Sequence, residues 1–112
     1  MVIAGTDAEA LQLARRAYAR WWSGFIYLWK MRGIKPPFTT YVEDFDEVLK
    51  NGQAIVGAPD TVRRIIAAQV SEAGLNYMLL RFAFGDLTLE ESMRSIKLFA
   101  ERVQPALEEV PA

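Results

Sequence analysis

A long helix near the start of the chain, apolar on most of its sides, constrains the fold more than any other feature. Apolar residues recur at steps of three and four over residues 11–28, which is the periodicity of a helix face. Thr6 and Glu9 have the spacing of a capping box, and Gly33 predicts the end of the helix. We therefore expect a helix over residues 7–32.

Aromatic side chains widen the apolar surface of this helix beyond a single stripe. They are Trp22, Tyr27 and Trp29, beside Trp21 of the stripe itself. A helix that is apolar on most sides is normally buried on most sides. We expect it to pack against a neighbour, and aromatic residues at this spacing are typical of packing or of an interface.

The remainder of the chain alternates short apolar runs with helical patterns. Residues 2–4, 54–56 and 75–82 are predicted strands, and the last run is apolar without alternation, as in strands buried on both faces. Helices are expected between them, at residues 45–50 and from Pro59 to the stop at Gly74. This order predicts right-handed βαβ units. The predicted fold class is α/β, a partial (β/α) barrel-type unit of about three parallel strands alternating with helices, in one domain over residues 1–112.

The last predicted helix follows a third capping box, Thr88 with Glu91. Its expected apolar face consists of Met93, Ile96, Phe99, Ala100 and Val103. Pro105 lacks a backbone N–H, and we expect it to kink or end this helix near residue 104.

Charge and hydropathy exclude several classes of protein. The 13 basic and 14 acidic residues give a net charge of −1, which argues against nucleic-acid binding, since that requires clustered Lys and Arg. No window approaches the roughly 18 uncharged apolar residues of a membrane span. The apolar start has no basic lead, so it does not resemble a signal peptide. We expect a cytoplasmic protein with neither nucleic acid nor membrane as a partner.

The chain contains no cysteine and no histidine. Disulfides, a cysteine nucleophile and the commonest general base and metal ligand are therefore missing. No pair of carboxylates has the spacing of a metal site or a glycosidase. We predict no catalytic and no metal-binding residue in this chain, so any chemistry depends on a cofactor or on other side chains.

Three stretches resemble one family. The segment Ala54-Ile-Val-Gly-Ala-Pro-Asp-Thr-Val has its pattern of strand, glycine, small residue, proline, acid and helix start. Residues 73–107 are more specific, because they include Phe-Gly-Asp-Leu, Ser-Ile-Lys-Leu-Phe and the Val-Gln-Pro ending. Residues 17–21, Ala-Tyr-Ala-Arg-Trp, are similar to a stretch just upstream. Together they resemble the C-terminal part of the bacterial luciferase-like flavin-dependent monooxygenases.

The resemblance implies an oxidoreductase built on a (β/α)₈ barrel. The family binds reduced flavin mononucleotide, or a deazaflavin in one branch, and often oxidises an organic substrate with molecular oxygen. Such a barrel needs about 250 residues, so the chain resembles a C-terminal fragment that is not expected to bind flavin or to turn over alone. The implied partner is the remainder of the barrel or a second copy in a homo-oligomer. The second hypothesis is a non-catalytic oligomerising α/β domain.

Functional groups of such barrels lie where the strands end. Arg81, Phe82 and Phe84 leave the last predicted strand there, and we assign them as cofactor-binding residues that line the pocket. Arg81 would face a phosphate or carboxylate, and the two rings would form an apolar wall. The alternative is that the rings fill the core and Arg81 pairs with a surface acid.

Three weaker signals each have a structural alternative. Asp86 would orient a ligand or simply shape its turn. The aromatic residues of the first helix would form a flavin platform or pack. The turn at Ala58 offers backbone N–H groups at a helix start, a possible anion site, although alanine removes the side-chain cap that Ser or Thr supplies there in the family.

Overall fold

The computed structural model describes residues 1–37 and 39–108. Its elements are β1 (Val2–Ile3), α1 (Asp7–Arg32), α2 (Phe45–Lys50), β2 (Val56–Gly57), α3 (Pro59–Ala73), α4 (Leu89–Leu98), a π-helical turn (Phe99–Val103) and α5 (Gln104–Glu108). Helices account for about 63% of the described residues and strands for about 4%. No helix in the described ranges is long and apolar enough to cross a lipid bilayer.

Local capping chemistry fixes the helix ends, and the predicted bounds of α1 and α2 are confirmed. The Thr6 side chain accepts a hydrogen bond from the Glu9 N–H at the start of α1, and Gly33 ends that helix. The α4 capping box is complete, because Thr88 accepts from the Glu91 N–H and the Glu91 carboxylate accepts from the Thr88 N–H. Each bond satisfies a backbone donor that a helix start leaves without a partner.

The sheet consists of two short parallel strands. Val2 lies opposite Val56, and Ile3 lies opposite Gly57. The Val2 N–H donates to the Ile55 carbonyl at 3.1 Å, and the Ala4 N–H donates to the Gly57 carbonyl at 3.3 Å. Helices α1 and α2 connect the two strands, which is one βαβ unit.

Alternate residues of the strands face two separate apolar clusters. Cluster one lies between the sheet, α1 and α2, and its buried members are Val2, Ala4, Ala10, Ala14, Tyr18, Phe45, Val48 and Val56. Cluster two lies between the sheet, α3 and the C-terminal helices, and its buried members are Ile3, Ile55, Val62, Ile66 and Val103. Side chains of neighbouring strand residues point to opposite faces, so the small sheet has helices on both sides.

The predicted fold class is wrong, because the third strand does not form. Residues 75–84 have neither strand nor helix. Met78 and Phe82 pack on cluster two and Phe84 packs on cluster one, whereas Tyr77 and Leu79 are 78% and 83% exposed. The molecule is mostly helical with one two-stranded sheet, and it is not a barrel-type unit of about three strands.

A serine on α4 closes the edge of β1 that β2 leaves free. The Ser95 hydroxyl accepts a hydrogen bond from the Ile3 N–H at 3.0 Å and donates to the Ile3 carbonyl at 3.2 Å. One side chain thus satisfies the two backbone groups that a further strand would have paired. The Met1 amino group, which donates to the Arg81 carbonyl at 2.6 Å, joins the 75–84 segment to this edge.

The rotation of α4 differs from the prediction. Ser92 and Ser95 are buried against the body of the protein, whereas Met93 and Ile96 face outward. The inward row runs through Ser92, Ser95, Phe99 and Val103, adjacent to the expected face. The hydrogen bonds between Ser95 and Ile3 set this rotation. Before Pro105, which sits in α5, the helix widens into the π-helical turn.

Candidate functional site

An aromatic cavity of about 100 Å³ lies between α1, α2 and the 75–84 segment. Its lining includes five aromatic side chains and one arginine: Tyr18, Trp21, Tyr41, Phe45, Phe84 and Arg81. Tyr18 and Trp21 come from one face of α1, where residues three apart are neighbours. The Tyr18 ring lies 5.0 Å from that of Phe45 and 5.4 Å from that of Trp21, and Trp21 lies 5.5 Å from Tyr41. The aromatic rings around the cavity therefore pack against one another, and we call them the aromatic shell.

Polar groups reach this shell at a few points. The Tyr18 hydroxyl donates to the Val42 carbonyl, and burial, followed by the nearby Tyr41, raises the pKa of Tyr18 to about 12. Burial, followed by the charge of Arg81, lowers the pKa of the Met1 amino group to about 6. The buried Gln53 Oε1 has no hydrogen-bond partner within the described residues. Gln53 and Arg81 both line the cavity.

Two of the three predicted cofactor-binding residues meet in this cavity. Arg81 and Phe84 both line it. Phe82 does not, because its ring packs edge-on against Phe99 in cluster two at a centroid distance of 5.6 Å. Between residues 82 and 84 the chain passes from one cluster to the other. Arg81 forms no ion pair within residues 1–37 and 39–108.

Sequence reasoning did not find Tyr18, Tyr41 and Gln53 as part of the site. Tyr18 belongs to the same apolar face of α1 as Trp21, and this periodicity is enough to predict that the two side chains lie together. Tyr41 and Gln53 lie in connecting segments on either side of α2, where no periodicity marks a side chain that points inward.

Phe84 is held at the cavity because the turn after it is anchored on α1. Arg16 donates from Nε to the Asp86 carboxylate at 3.1 Å and from Nη2 to the Glu91 carboxylate at 2.6 Å. A Cβ on Gly85 would lie 1.9 Å from the Ala17 carbonyl oxygen, so the turn contacts the helix backbone directly. Asp86 therefore holds the turn in place, as its structural alternative predicts.

The Arg16–Glu91 pair predicts an acid-dependent loss of stability. Hydrogen bonds from Arg16, and next from the Thr88 N–H, lower the pKa of Glu91 from 4.5 to about 2. A lowered carboxylate pKa stabilises the fold above pH 4.5, and that contribution disappears as the pH falls toward 2. We expect Glu91→Gln to reduce this loss by on the order of 1 kcal/mol, since the pair is partly exposed. Urea unfolding at several pH values between 6 and 2 measures it.

The control for this experiment is Glu90→Gln. Glu90 is also in the first turn of α4 and is exposed, and it forms no ion pair among the described residues. At a protein concentration low enough to keep the chain monomeric, its substitution should leave the slope of stability against pH between 4.5 and 2 unchanged. Equal slopes for wild type and Glu91→Gln would contradict the assignment.

The possible anion site at the start of α3 is filled by the chain's own carboxylate. Asp7 accepts hydrogen bonds from the Ala58 N–H at 2.7 Å and from the Thr61 hydroxyl at 3.0 Å. These two bonds, the backbone one first, lower the pKa of Asp7. Asp7 therefore replaces the side-chain cap that Ala58 lacks and ties the start of α1 to that of α3.

The cavity does not fit a flavin within this chain alone. Its volume of about 100 Å³ is below the roughly 300 Å³ at which small-molecule pockets begin. A cleft of about 710 Å³ is a surface groove along the second half of α1 that includes the exposed Tyr27 and Met31. Of the aromatic residues proposed as a flavin platform, Trp21 and Trp22 pack against other rings, whereas Tyr27 is exposed.

Comparison with known proteins gives one curated relative. The chain is 37% identical over 94 residues to the uncharacterized protein y4wF of Sinorhizobium fredii. The match covers 83% of this chain and 27% of that protein, so the chain spans about a quarter of its relative's length. No family model matches the chain. No solved structure matches it.

Proposed function

We propose that the chain is the C-terminal segment of a luciferase-like flavin-dependent monooxygenase, a cytoplasmic oxidoreductase, and that it supplies one wall of a pocket completed by other parts of the protein. The observation that carries this proposal is the meeting of Arg81 and Phe84 with the α1 aromatic residues in one cavity. The family resemblance assigns both Arg81 and Phe84 to the pocket lining.

The turns that the two family-like motifs form also support the proposal. The Gly-Ala-Pro-Asp stretch forms the end of β2 and the start of α3. The Phe-Gly-Asp-Leu stretch forms the turn that Arg16 anchors on α1. Motifs that resemble the family thus lie at close contacts between elements, where a change of residue is costly.

Exposed apolar rows support a larger protein around this segment. Leu75, Tyr77 and Leu79 are exposed along the 75–84 segment, and Tyr27, Leu28 and Met31 are exposed on α1. Contiguous apolar surface in water typically marks an interaction site. We infer that the remainder of a longer protein covers these rows, and the 27% coverage of the relative agrees with that inference.

The residues would have distinct tasks in the completed pocket. Arg81 would pair with a phosphate or carboxylate of the ligand, because its guanidinium has no internal acid partner among the described residues. Phe84 and Trp21 would present apolar surface to a ring. Reduced flavin mononucleotide, or a deazaflavin, is the cofactor that the resemblance implies, and this chain alone does not enclose it.

The test compares three proteins: this chain, the full-length Sinorhizobium fredii relative, and a chimera in which the matched stretch of that relative is replaced by this chain. We expect saturable quenching of flavin fluorescence by the relative and the chimera, and none by the chain alone. In the chimera, Arg81→Gln should weaken binding about tenfold, the equivalent of one charge-assisted contact.

Arg102→Gln is the matched control, because Arg102 is exposed and lies outside the cavity. It should leave flavin affinity unchanged. Absence of flavin binding by both the relative and the chimera would refute the monooxygenase assignment. Tight binding by the chain alone would instead refute the incomplete pocket.

The second candidate function is a non-catalytic oligomerising domain. The outward apolar face of α4, formed by Leu89, Met93 and Ile96, favours it. Sedimentation of the chain over a range of concentrations tests it, and a monomer at every concentration would refute it.

A further inference from the structure

Helix α4 presents three of its four apolar residues to solvent and its two serines to the core. Leu89, Met93 and Ile96 are 77%, 54% and 41% exposed. Steps of four and three place them in one row along the helix, which we call the α4 row. Ser92 and Ser95 occupy the buried side. Burial of the α4 row therefore requires a contact from outside the described chain.

Charges beside the α4 row are arranged in a self-complementary way. Glu90 lies at the start of the helix and Lys97 lies one heptad later, on the same flank of the row. Both are exposed, and neither forms an ion pair among the described residues. The third charge of this flank, Arg94, is already bound to Glu9 at 2.6 Å. Glu90 and Lys97 are thus available to an external partner.

We propose that two copies of the chain associate through the α4 row, with their α4 helices packed antiparallel about a two-fold axis at Met93. In this register Met93 meets its own copy, and Leu89 meets Ile96 of the second copy. Glu90 then faces Lys97 of the second copy, and Lys97 faces Glu90. A two-fold interface makes each such contact twice, so four apolar residues and two ion pairs surround a central pair of methionines.

In the antiparallel register opposite charges of two identical helices face each other, which favours a second copy over an unrelated partner. A parallel two-fold pairing would place this flank of the two helices on opposite sides of the interface, so the Glu90–Lys97 pairs form only in the antiparallel arrangement. The net charge of −1 adds little repulsion between whole copies. Ten helical residues span about 15 Å, so the interface is small and belongs to the transient class below about 1,200 Å². Association is therefore reversible and depends on concentration, and the inference rests on the oligomerising-domain candidate and not on the flavin proposal.

The absence of native cysteine allows a direct test of the axis. Met93→Cys should form a disulfide-linked dimer under mild oxidation, since facing Cα atoms of packed helices come within the 4.4–6.8 Å of a disulfide. Leu28→Cys is the control, because Leu28 is also an exposed apolar helix residue but lies on α1. We expect at least about fivefold faster dimer formation by Met93→Cys. Equal rates would overturn the proposal.

Charge reversal tests the antiparallel register. Glu90→Lys and Lys97→Glu should each weaken the dimer about threefold to tenfold, because each creates two like-charge contacts. The double variant should restore wild-type association, measured by sedimentation equilibrium. Failure of the double variant to restore it would overturn the antiparallel pairing. A wild-type chain that stays monomeric up to about millimolar concentration would overturn self-association and leave the α4 row to another part of a longer protein.

Discussion

Replacement of Gly85 by alanine is expected to destabilise the chain by about 3–5 kcal/mol, the range of strongly strained substitutions. Gly85 has φ +59°, and a Cβ there would lie 1.9 Å from the Ala17 carbonyl oxygen and 2.7 Å from its carbon. Both atoms belong to the backbone of α1, so no side-chain rotation relieves the contact. The turn must lift off the helix, and the Arg16 hydrogen bonds to Asp86 would lengthen or break. Urea unfolding measures the loss.

The Gly74→Ala variant separates the cost of the steric contact at Gly85 from the cost of the left-handed backbone conformation. Gly74 has nearly the same φ, +63°, but a Cβ there would have nothing within 4 Å. Alanine at 74 should cost only the left-handed conformation, about 1–2 kcal/mol. The excess at Gly85 then reports the contact with α1. Equal costs at the two positions would contradict the close approach of the turn.

Ser95→Ala should cost about 1–3 kcal/mol, the desolvation penalty of a buried group left without a partner. Ser95 is 2% exposed, and its hydroxyl bonds both the N–H and the carbonyl of Ile3. Alanine removes both bonds and leaves the Ile3 N–H and carbonyl without this partner. The measurement is the free energy of unfolding, together with the exchange rate of the Ile3 amide, which should rise.

Ser92→Ala provides the comparison. Ser92 is buried on the same side of α4, and its side chain makes no hydrogen bond to the sheet in the described structure. We expect a change within about 0.5 kcal/mol, since alanine is also the better helix former. Similar losses for the two serines would show that helix packing, and not closure of the β1 edge, accounts for the effect.

Features that depend on local chemistry could be predicted from the sequence. The helix over Asp7–Arg32 follows from its periodicity together with the cap at Thr6 and the stop at Gly33. The start of α3 follows from Pro59, which needs no N–H partner at the first helical position. In each case the deciding residues lie within a few positions of the boundary that they set.

Features that depend on distant partners could not be predicted. The apolar run at residues 75–82 has the composition of a buried strand, but the Ser95 hydroxyl, 92 positions from Ile3, closes the edge of β1. The same bond turns Met93 outward, whereas its hydropathy alone predicts burial. At the site, Arg81 and Phe84 were identified through the family resemblance. The separation of Phe82 from Phe84 depends on where two clusters lie, which no local pattern encodes.

The bonding of β1 also has a consequence for the order of folding. The partners of this strand lie about 54 positions away on β2 and 92 positions away on α4. Helix α1 needs only its neighbours in sequence to begin forming, whereas β1 gains its hydrogen bonds only after two long loops close. Contacts of such high sequence separation slow the rate-limiting step. The first strand in the chain is therefore expected to be the last element to become native, and its formation completes the fold.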